Sequence, residues 1–413
     1  MRTEVVIVGG GLAGSYAALA LALQGRRVTL YRGRAGLSHH WTGTCHLYGP
    51  SAPLPVSQSP LRLLRGGSVT LPAFTTLDER WAALFGSAPD HPFVRLAADP
   101  SEVGRAAETL TASLALPLLW HETAAQGASV EGSWVARDGG LARLHRCASR
   151  VGLVLSATSF PRFAAPWMAA SMTVAQGAPC GALVVDDGPP AASLPIALAR
   201  WLTGAAAMRE ALLRGMEGQP EGAVLVPALP GRDFAASEAW AGSLEAATGR
   251  RVLVCAAAGE SPEGMRLMRH LDSLCEARGI AVKEHPVTGV ERARAGGWVV
   301  RTSEEEPVDA DHVVLATGPQ ASLNGSQRWV GRWVGPSVVP TRLWTESPWG
   351  RQPAHRVGIR TDEGMAVLDG RTRVDGLWAV GATLAGQDLA VDQTGFGVIA
   401  WSVARLVQSM ARS

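Results

Sequence analysis

The hydrophobic pattern of the chain changes period several times, and those changes divide it. Four β-branched residues, Val5-Val6-Ile7-Val8, run into three glycines and then into an alanine- and leucine-rich stretch that continues to Gln24. The first run has the length and branching of a strand buried on both faces. The second is made of good helix formers, and Gly25 stops it. Arg27-Val28-Thr29-Leu30-Tyr31 is a second strand. Helical spacing predicts helices over Leu77 to Phe85, Ser101 to Leu114, Leu194 to Met216 and Ala235 to Ala247. A further helix is opened by Ser261-Pro262, with serine as N-cap and proline at the first helical position, and ends at Gly279. Between these lie short apolar runs read as strands: Gly181 to Asp186, Val224 to Pro227 and Arg251 to Cys255. Ser129 to Ala148 alternates weakly around Gly139-Gly140, which predicts short antiparallel strands.

Beyond Gly279 the period shortens to alternation. Ile280 to Glu284, Val287 to Arg292 and Trp298 to Arg301, with a Gly296-Gly297 turn, predict a meander. It leads into a buried strand, Asp309 to Gly318, that ends in Ala-Thr-Gly. Gly376 to Ala382 is one more strand entering a glycine turn, and a helix from Val398 to Met410 follows. Strand and helix alternate at both ends of the chain, so the fold class is α/β. With the glycine pattern G-x-G-x-x-G at Gly9, Gly11 and Gly14 between its first strand and first helix, the expected architecture is a Rossmann-like FAD/NAD(P)-binding fold, a doubly wound parallel sheet plus an antiparallel meander, with an inserted α/β or α+β domain. The boundaries expected are 1–60 and 251–413 for a discontinuous flavin/dinucleotide-binding domain, and 61–250 for an inserted substrate or partner domain.

The chemistry starts at the first glycines. Gly9, Gly11 and Gly14 form G-x-G-x-x-G between a strand and a helix. Gly9 makes the tight turn, Gly11 lets a pyrophosphate approach the backbone, and Gly14 lets helix and strand pack closely. The helix start then offers unpaired N–H groups and a partial positive charge to phosphates. The acidic residue expected on the adenosine ribose is missing from the end of the second strand; Tyr31 and Arg32 stand there. Arg32 either faces a phosphate or is a solvated end-of-strand charge.

The long loop from Gly33 to Pro60 carries Ser38-His39-His40-Trp41-Thr42-Gly43-Thr44. In a doubly wound sheet it lies near the strand carboxyl ends, where ligands bind. Thr42, Gly43 and Thr44 offer hydroxyls and amides to a phosphate or ribityl chain, and His39 and His40 are the candidate acid–base groups. Arg266, early in its helix, is the candidate ligand of an anionic substrate, the alternative being a surface salt bridge. Thr317 and Gly318 end the returning strand, where the backbone can pass close to a cofactor. The final glycine turn at Gly381, with Asp388 and Gly395 after it, precedes a helix whose dipole suits a flavin's pyrimidine carbonyl. Ala382 stands where an acidic residue often holds the ribityl hydroxyls, so that task falls to Asp388 if to any acid.

Composition narrows the classes. A net charge of +2 without a long basic run argues against nucleic acid. Five cysteines, Cys45, Cys147, Cys180, Cys255 and Cys275, never fall in C-x-x-C spacing. That removes a local iron–sulfur ligand set and thioredoxin-reductase chemistry, and suits a reducing compartment. No apolar run reaches a membrane-spanning length; Val151 to Met172, the closest, holds Pro161, Arg162 and Pro166. Met1-Arg2-Thr3-Glu4 leads straight into the first strand, so a cytoplasmic protein is expected, peripheral to the inner membrane at most through a partner.

The order of these pieces resembles one family, the B-type flavoprotein chain of anaerobic glycerol-3-phosphate dehydrogenase. The residues carrying the resemblance are Val6 to Gly14 and the loop through His39 to Thr42-Gly43-Thr44. Pro262, Gly264, Arg266 and Leu267 follow, then Val357-Gly358-Ile359 with Thr361-Asp362, and Leu377 to Gly381 with Gly386 and Asp388. The block from about 160 to 250 matches in pattern only. The resemblance implies a flavin, FMN in that family although the glycine loop suits FAD. It also implies a hetero-oligomer with a separate catalytic flavoprotein subunit and a membrane-associated iron–sulfur subunit feeding the quinone pool. The reaction expected is oxidation of glycerol 3-phosphate (the sn isomer) to dihydroxyacetone phosphate, with His39 or His40 as base and Arg266 on the phosphate. Two alternatives stand beside it. One is a non-catalytic flavin-binding electron-transfer or assembly subunit. The other is a stand-alone NAD(P)H-dependent flavin oxidoreductase, which would need a second G-x-G-x-x-G that the chain lacks.

Overall fold

Val5, Val6 and Ile7 have no solvent exposure, and the strand they form is flanked by a parallel neighbour on each side. That double burial is what their unbroken branched run encodes. The structure, a computed structural model, describes residues 3–33, 38, 47, 77–115, 119–120, 128–129, 133–135, 150–158, 165–186, 205–226, 229–256, 262–318, 353–388, 392 and 394–412.

In chain order the elements begin with β1 (Thr3–Val8), α1 (Leu12–Leu23) and β2 (Val28–Tyr31). Three helices follow, α2 (Leu77–Ser87), α3 (Pro92–Arg95) and α4 (Pro100–Ser113). Then come β3 (Leu119–Trp120), β4 (Ala128–Ser129), β5 (Ser133–Val135), β6 (Val151–Ala157), α5 (Ala165–Gln176) and β7 (Gly181–Val185). The middle closes with α6 (Ala205–Gly215), β8 (Ala223–Val226), α7 (Phe234–Thr248), β9 (Val252–Ala256) and α8 (Pro262–Ala277). The last stretch holds β10 (Ala281–Lys283), β11 (Val287–Arg292), β12 (Trp298–Thr302), β13 (Val308–Leu315), β14 (Ala366–Asp369), β15 (Thr372–Ala379) and α9 (Gly395–Met410).

The first sheet runs β10-β2-β1-β13, and β13 serves two partners along its other edge. Its first residues pair antiparallel with β12, the end of the meander, and Val313 to Leu315 pair parallel with β15. The parallel set β10, β2, β1, β13 and β15 therefore lines up its carboxyl ends along one crest, where ligands bind in such sheets. The second sheet is separate: β5-β9-β8-β6-β7, parallel throughout, with its own apolar core of Val151, Leu153, Val224, Leu225, Leu244 and their neighbours. The mixed α/β fold with a Rossmann-like sheet is the one the periodicity predicts.

Differences from the sequence pattern have local causes. Ser133–Val135 lies parallel to β9 as an edge strand, because its partner there is a strand of the second sheet and not a hairpin neighbour. An antiparallel pair does form just before it, between β3 and β4. The stretch from Val151 that comes nearest to a membrane span is a fully buried strand followed by helix α5. Among the described residues no helix is long and apolar enough to cross a membrane. Of the helix expected over Leu194 to Met216, Ala205–Gly215 is seen and 194–204 lie outside the described residues. Helix α4 starts one residue earlier than expected, with Asp99 as N-cap and Pro100 at its first position.

The sequence pattern makes residues 61–250 one insert, but Leu84, Phe93, Val103 and Leu110 pack in the core of the first sheet. The α4 and α9 helices are clamped there by a bidentate pair, Arg405 to Glu102, at 2.5 and 2.7 Å. Burial works to raise the Glu102 carboxyl, but the Arg405 bonds outweigh it and hold the group below its ordinary 4.5. A depressed folded value means the pair stabilises above about pH 4.5 and that this is lost as pH falls through the folded value. Glu102→Gln should therefore cost about 1 kcal/mol near neutrality, with the gap from wild type closing in acid. Urea midpoints measured at pH 7 and again below pH 4 would check both halves of that expectation.

Candidate active site

Strand β1 delivers the glycine loop to the crest. Gly9 has φ +115°, and a Cβ there would lie 2.2 Å from the Ala316 carbonyl oxygen, so the ends of β1 and β13 touch as backbone. A Cβ on Gly14 would lie 1.7 Å from the Gly9 oxygen, which is how tightly α1 is folded back on its strand. No side chain of its own caps α1, since Gly11 is its N-cap. The Ser38 hydroxyl fills that role, accepting from the Leu12 amide at 2.7 Å. Ser38 thus stands at the helix start, its hydroxyl where a phosphate group is expected to lie.

The end of β13 is joined to the C-terminal turn. The Gly318 amide donates to the Thr383 hydroxyl at 3.0 Å, and the Gly381 amide to Ser402 of α9 at 2.9 Å. Gly381, at φ +66°, is wedged between Ala13 of α1 and Ile399 of α9, a Cβ there falling 2.7 Å from the Ala13 methyl. The two helix N-termini are therefore brought to one place by small residues. Gly395 opens α9, whose N-cap Thr394 makes no capping hydrogen bond. Its hydroxyl instead accepts from His91 Nε2 at 2.8 Å and from Gln387 Nε2 at 3.1 Å. The His91 roles follow from its other nitrogen: Nδ1 accepts from the Phe93 amide at 3.2 Å, so the proton sits on Nε2. Turning Thr394 away leaves α9 without a side-chain cap at its N-terminus, where the partial positive charge of the helix is concentrated.

The residues expected at this site are distributed as follows. Gly9, Gly11, Gly14, Thr317, Gly318, Gly381 and Gly395 converge at the crest. His39, His40, Thr42, Gly43 and Thr44 lie outside the described residues. Arg32 is buried, lies against Gly10, and is paired with Asp272 and Glu284. Its terminal nitrogens go to Asp272 of α8 and to Glu284 just after β10, while its buried Nε has no partner among the described residues. Asp388 is fully buried in a reciprocal turn: its amide donates to Asp392 Oδ2 at 2.8 Å and its carbonyl accepts from the Asp392 amide at 2.7 Å. His355 Nδ1 stands 3.5 Å from its carboxylate.

Arg266 is a correction in placement. It is 2% exposed, and its guanidinium donates to the carbonyls of Leu229 and Gly231. An arginine early in this helix crosses to the loop after β8 because α8 carries the chain from one sheet to the other. Cys275, on the same helix, is buried, and burial pushes its thiol up to about 11, which removes it as a thiolate nucleophile. Residues the sequence pattern passes over, Ser38, His91, Thr383 and Thr394, carry only loop or turn signals; their roles arise from contacts between distant segments.

A glycine cradle in which a Cβ would collide, a helix start attended by a hydroxyl, and a second helix start left uncapped fit a diphosphate at one end and an electron-accepting ring at the other. When bound there, a flavin supplies hydride-accepting chemistry at its ring. Gly9 to Gly14 and Ser38 would hold its phosphates, and the α9 N-terminus its pyrimidine edge.

Comparison with known proteins agrees with that fit. Residues 7–58 match the NAD(P)-binding Rossmann-like domain, and residues 196–409 match the FAD dependent oxidoreductase family. No curated protein sequence matches the chain. Among solved structures, the 3-ketosteroid-Δ4-(5α)-dehydrogenase from Rhodococcus jostii RHA1 is 14% identical with TM-score 0.42, covering 100% of this chain and 97% of that one. Glycine oxidase from Geobacillus kaustophilus is 16% identical with TM-score 0.31, covering 82% of this chain and 60% of that one. THI4 from Thermovibrio ammonificans is 12% identical with TM-score 0.35, covering 100% and 89%. The family match extends over more than half of the sequence and takes in β13, the Gly381 turn and α9: this chain belongs to the FAD dependent oxidoreductase family, and its cofactor is a flavin.

Proposed function

We propose that this flavoprotein oxidises glycerol 3-phosphate at its secondary alcohol, passing the electrons through partner subunits to the quinone pool. The observation that carries the redox part is the convergence of the Gly9–Gly14 loop, Gly318, Gly381 and the uncapped α9 N-terminus on one crest. The substrate and the partners, a second, catalytic flavoprotein and a membrane-associated iron–sulfur protein, rest on the sequence resemblance through Val6 to Gly14, Val357 to Asp362 and Leu377 to Asp388. In this reading His39 and His40 are the candidate bases for the proton of the C2 hydroxyl, and a flavin held at the cradle would supply the hydride acceptor.

The test uses the chain expressed alone. Flavin released by denaturation is identified by mass, and glycerol 3-phosphate is then added to the native protein without oxygen. Loss of the oxidised-flavin band at about 450 nm is the expected result. Bound flavin that stays oxidised would move the dehydrogenation to a partner and leave this chain as an electron conduit.

A further inference from the structure

Outside the glycine cradle, Arg95, Arg356 and Arg360 lie on segments joined through Asp90 and Gly386 to the turn that precedes α9. Arg95 ends helix α3 and is partly buried, and its Nε and Nη2 have no hydrogen-bond partner among the described residues. Arg356 donates from Nε to the Gly386 carbonyl at 3.3 Å, while its Nη2 is buried without a partner among the described residues. Arg360 is exposed.

Contacts tie the three together and to the site. The Gly386 amide donates to the Arg356 carbonyl at 2.9 Å, and Ile359 bridges Leu384, so the segment holding Arg356 and Arg360 runs alongside the turn that begins at Gly381. Arg356 closes a short 3-10 turn, Pro353–Arg356, and after it Val357 and Ile359, each 2% exposed, face inward while Arg360 is exposed. Gly386 lies against the Asp90 backbone, one residue before His91, whose ring bonds the α9 N-cap. Burial, and after it the like charge of Arg360, lower the Arg95 value, and the Asp90 carboxylate works against them. The acid acting on Arg95 is Asp90, and Asp388 stands 3.5 Å from His355, the residue before Arg356. Neither lies within ion-pair distance of these arginines among the described residues.

Buried cationic N–H groups are normally paired, because taking them from water without a partner is costly. Arginine's planar fork matches the oxygens of carboxylates and phosphates. We propose that Arg95, Arg356 and Arg360 form the site that binds the oxyanion of the substrate, a phosphate or a carboxylate. The assignment rests on the oxidoreductase reading above, and it puts the anion beside the α9 N-terminus, away from Arg266. The exposed Arg360 is the point of entry, and Arg95 and Arg356 are the inner ligands.

Calorimetric titration of the flavin-loaded protein with inorganic phosphate, and separately with acetate, at constant ionic strength tests this. Saturable binding of one of the two is expected, phosphate indicating a phosphorylated substrate and acetate a carboxylic one. Arg95→Met and Arg360→Gln should each weaken binding of that anion about tenfold while leaving flavin content unchanged. Arg360→Gln changes an exposed side chain and keeps the test usable if the Arg95 variant misfolds. No saturable binding of either anion, or binding in Arg360→Gln equal to wild type, would overturn the proposal. Two results separate it from the function proposed above. Anion binding lost in the variants with no flavin reduction by glycerol 3-phosphate keeps the site and removes that substrate. Flavin reduction with unchanged KM in both variants keeps the substrate and removes the site.

Discussion

Gly14→Ala is expected to yield protein without flavin and less stable by about 3 kcal/mol or more. The methyl group would sit 1.7 Å from the Gly9 carbonyl oxygen and 3.3 Å from the Ala316 side chain. The first contact is with backbone at the tightest point of the β1 turn, and no rotamer change can relieve it. Helix α1 must lift from its strand, and the lift carries the Leu12 amide away from Ser38. Phosphate binding and packing are lost together because one backbone contact serves both. Flavin content after purification and the urea midpoint of the apoprotein measure the two effects. A Gly14→Ala protein that retains full flavin would rule out the cradle as the binding site. Gly25 is the control: its Cβ position meets nothing within 4 Å, although its φ of +81° keeps a small strain cost.

The second large effect is expected at Phe93, which is fully buried in an aromatic cluster. Its ring lies 5.3 Å from Trp81 in a stacked pair and 5.4 Å from Trp401 of α9 edge-on. The His91 ring is 5.0 Å away. Phe93→Ala should cost about 3–5 kcal/mol through lost burial and the cavity left behind. The loss falls on the contact that presses α3 against α9, so the His91–Thr394 hydrogen bond loosens with it. Thermal melts followed by tryptophan fluorescence and by flavin release should both shift down. Phe93→Leu, keeping most of the volume, should cost under about 1.5 kcal/mol. Equal melting of the alanine and parent proteins would show that the cluster does not hold α9.

Much of the first sheet is legible along the chain because its signals are local. A buried parallel strand needs an unbroken branched run, and Val5 to Val8 and Val313 to Leu315 have one. The glycine loop is readable because each glycine answers to a steric demand of its own segment. Helix α9 is legible as a helix, but not the state of its N-terminus, since Thr394 looks like an ordinary cap in sequence. Its hydroxyl is drawn off by His91, which is 303 residues away. The boundary at residue 61 fails for a related reason: helices α2 to α4 carry generic amphipathic patterns, and nothing local says which of two sheets they cover.

The fold class, the cradle and the flavin thus follow from the order of residues, because each depends on neighbours within a few turns of chain. The fate of the charges does not. Arg32 and Arg266 look available in the sequence and are consumed by Asp272, Glu284 and two loop carbonyls. Arg95 and Arg356, which carry no motif, make no ion pair among the described residues and keep buried N–H groups without partners, whereas Arg32, though its Nε is also unpartnered, has its terminal nitrogens on two carboxylates. An arginine's long side chain takes whatever partner the packed chain brings within reach, and that is settled by contacts between segments hundreds of residues apart.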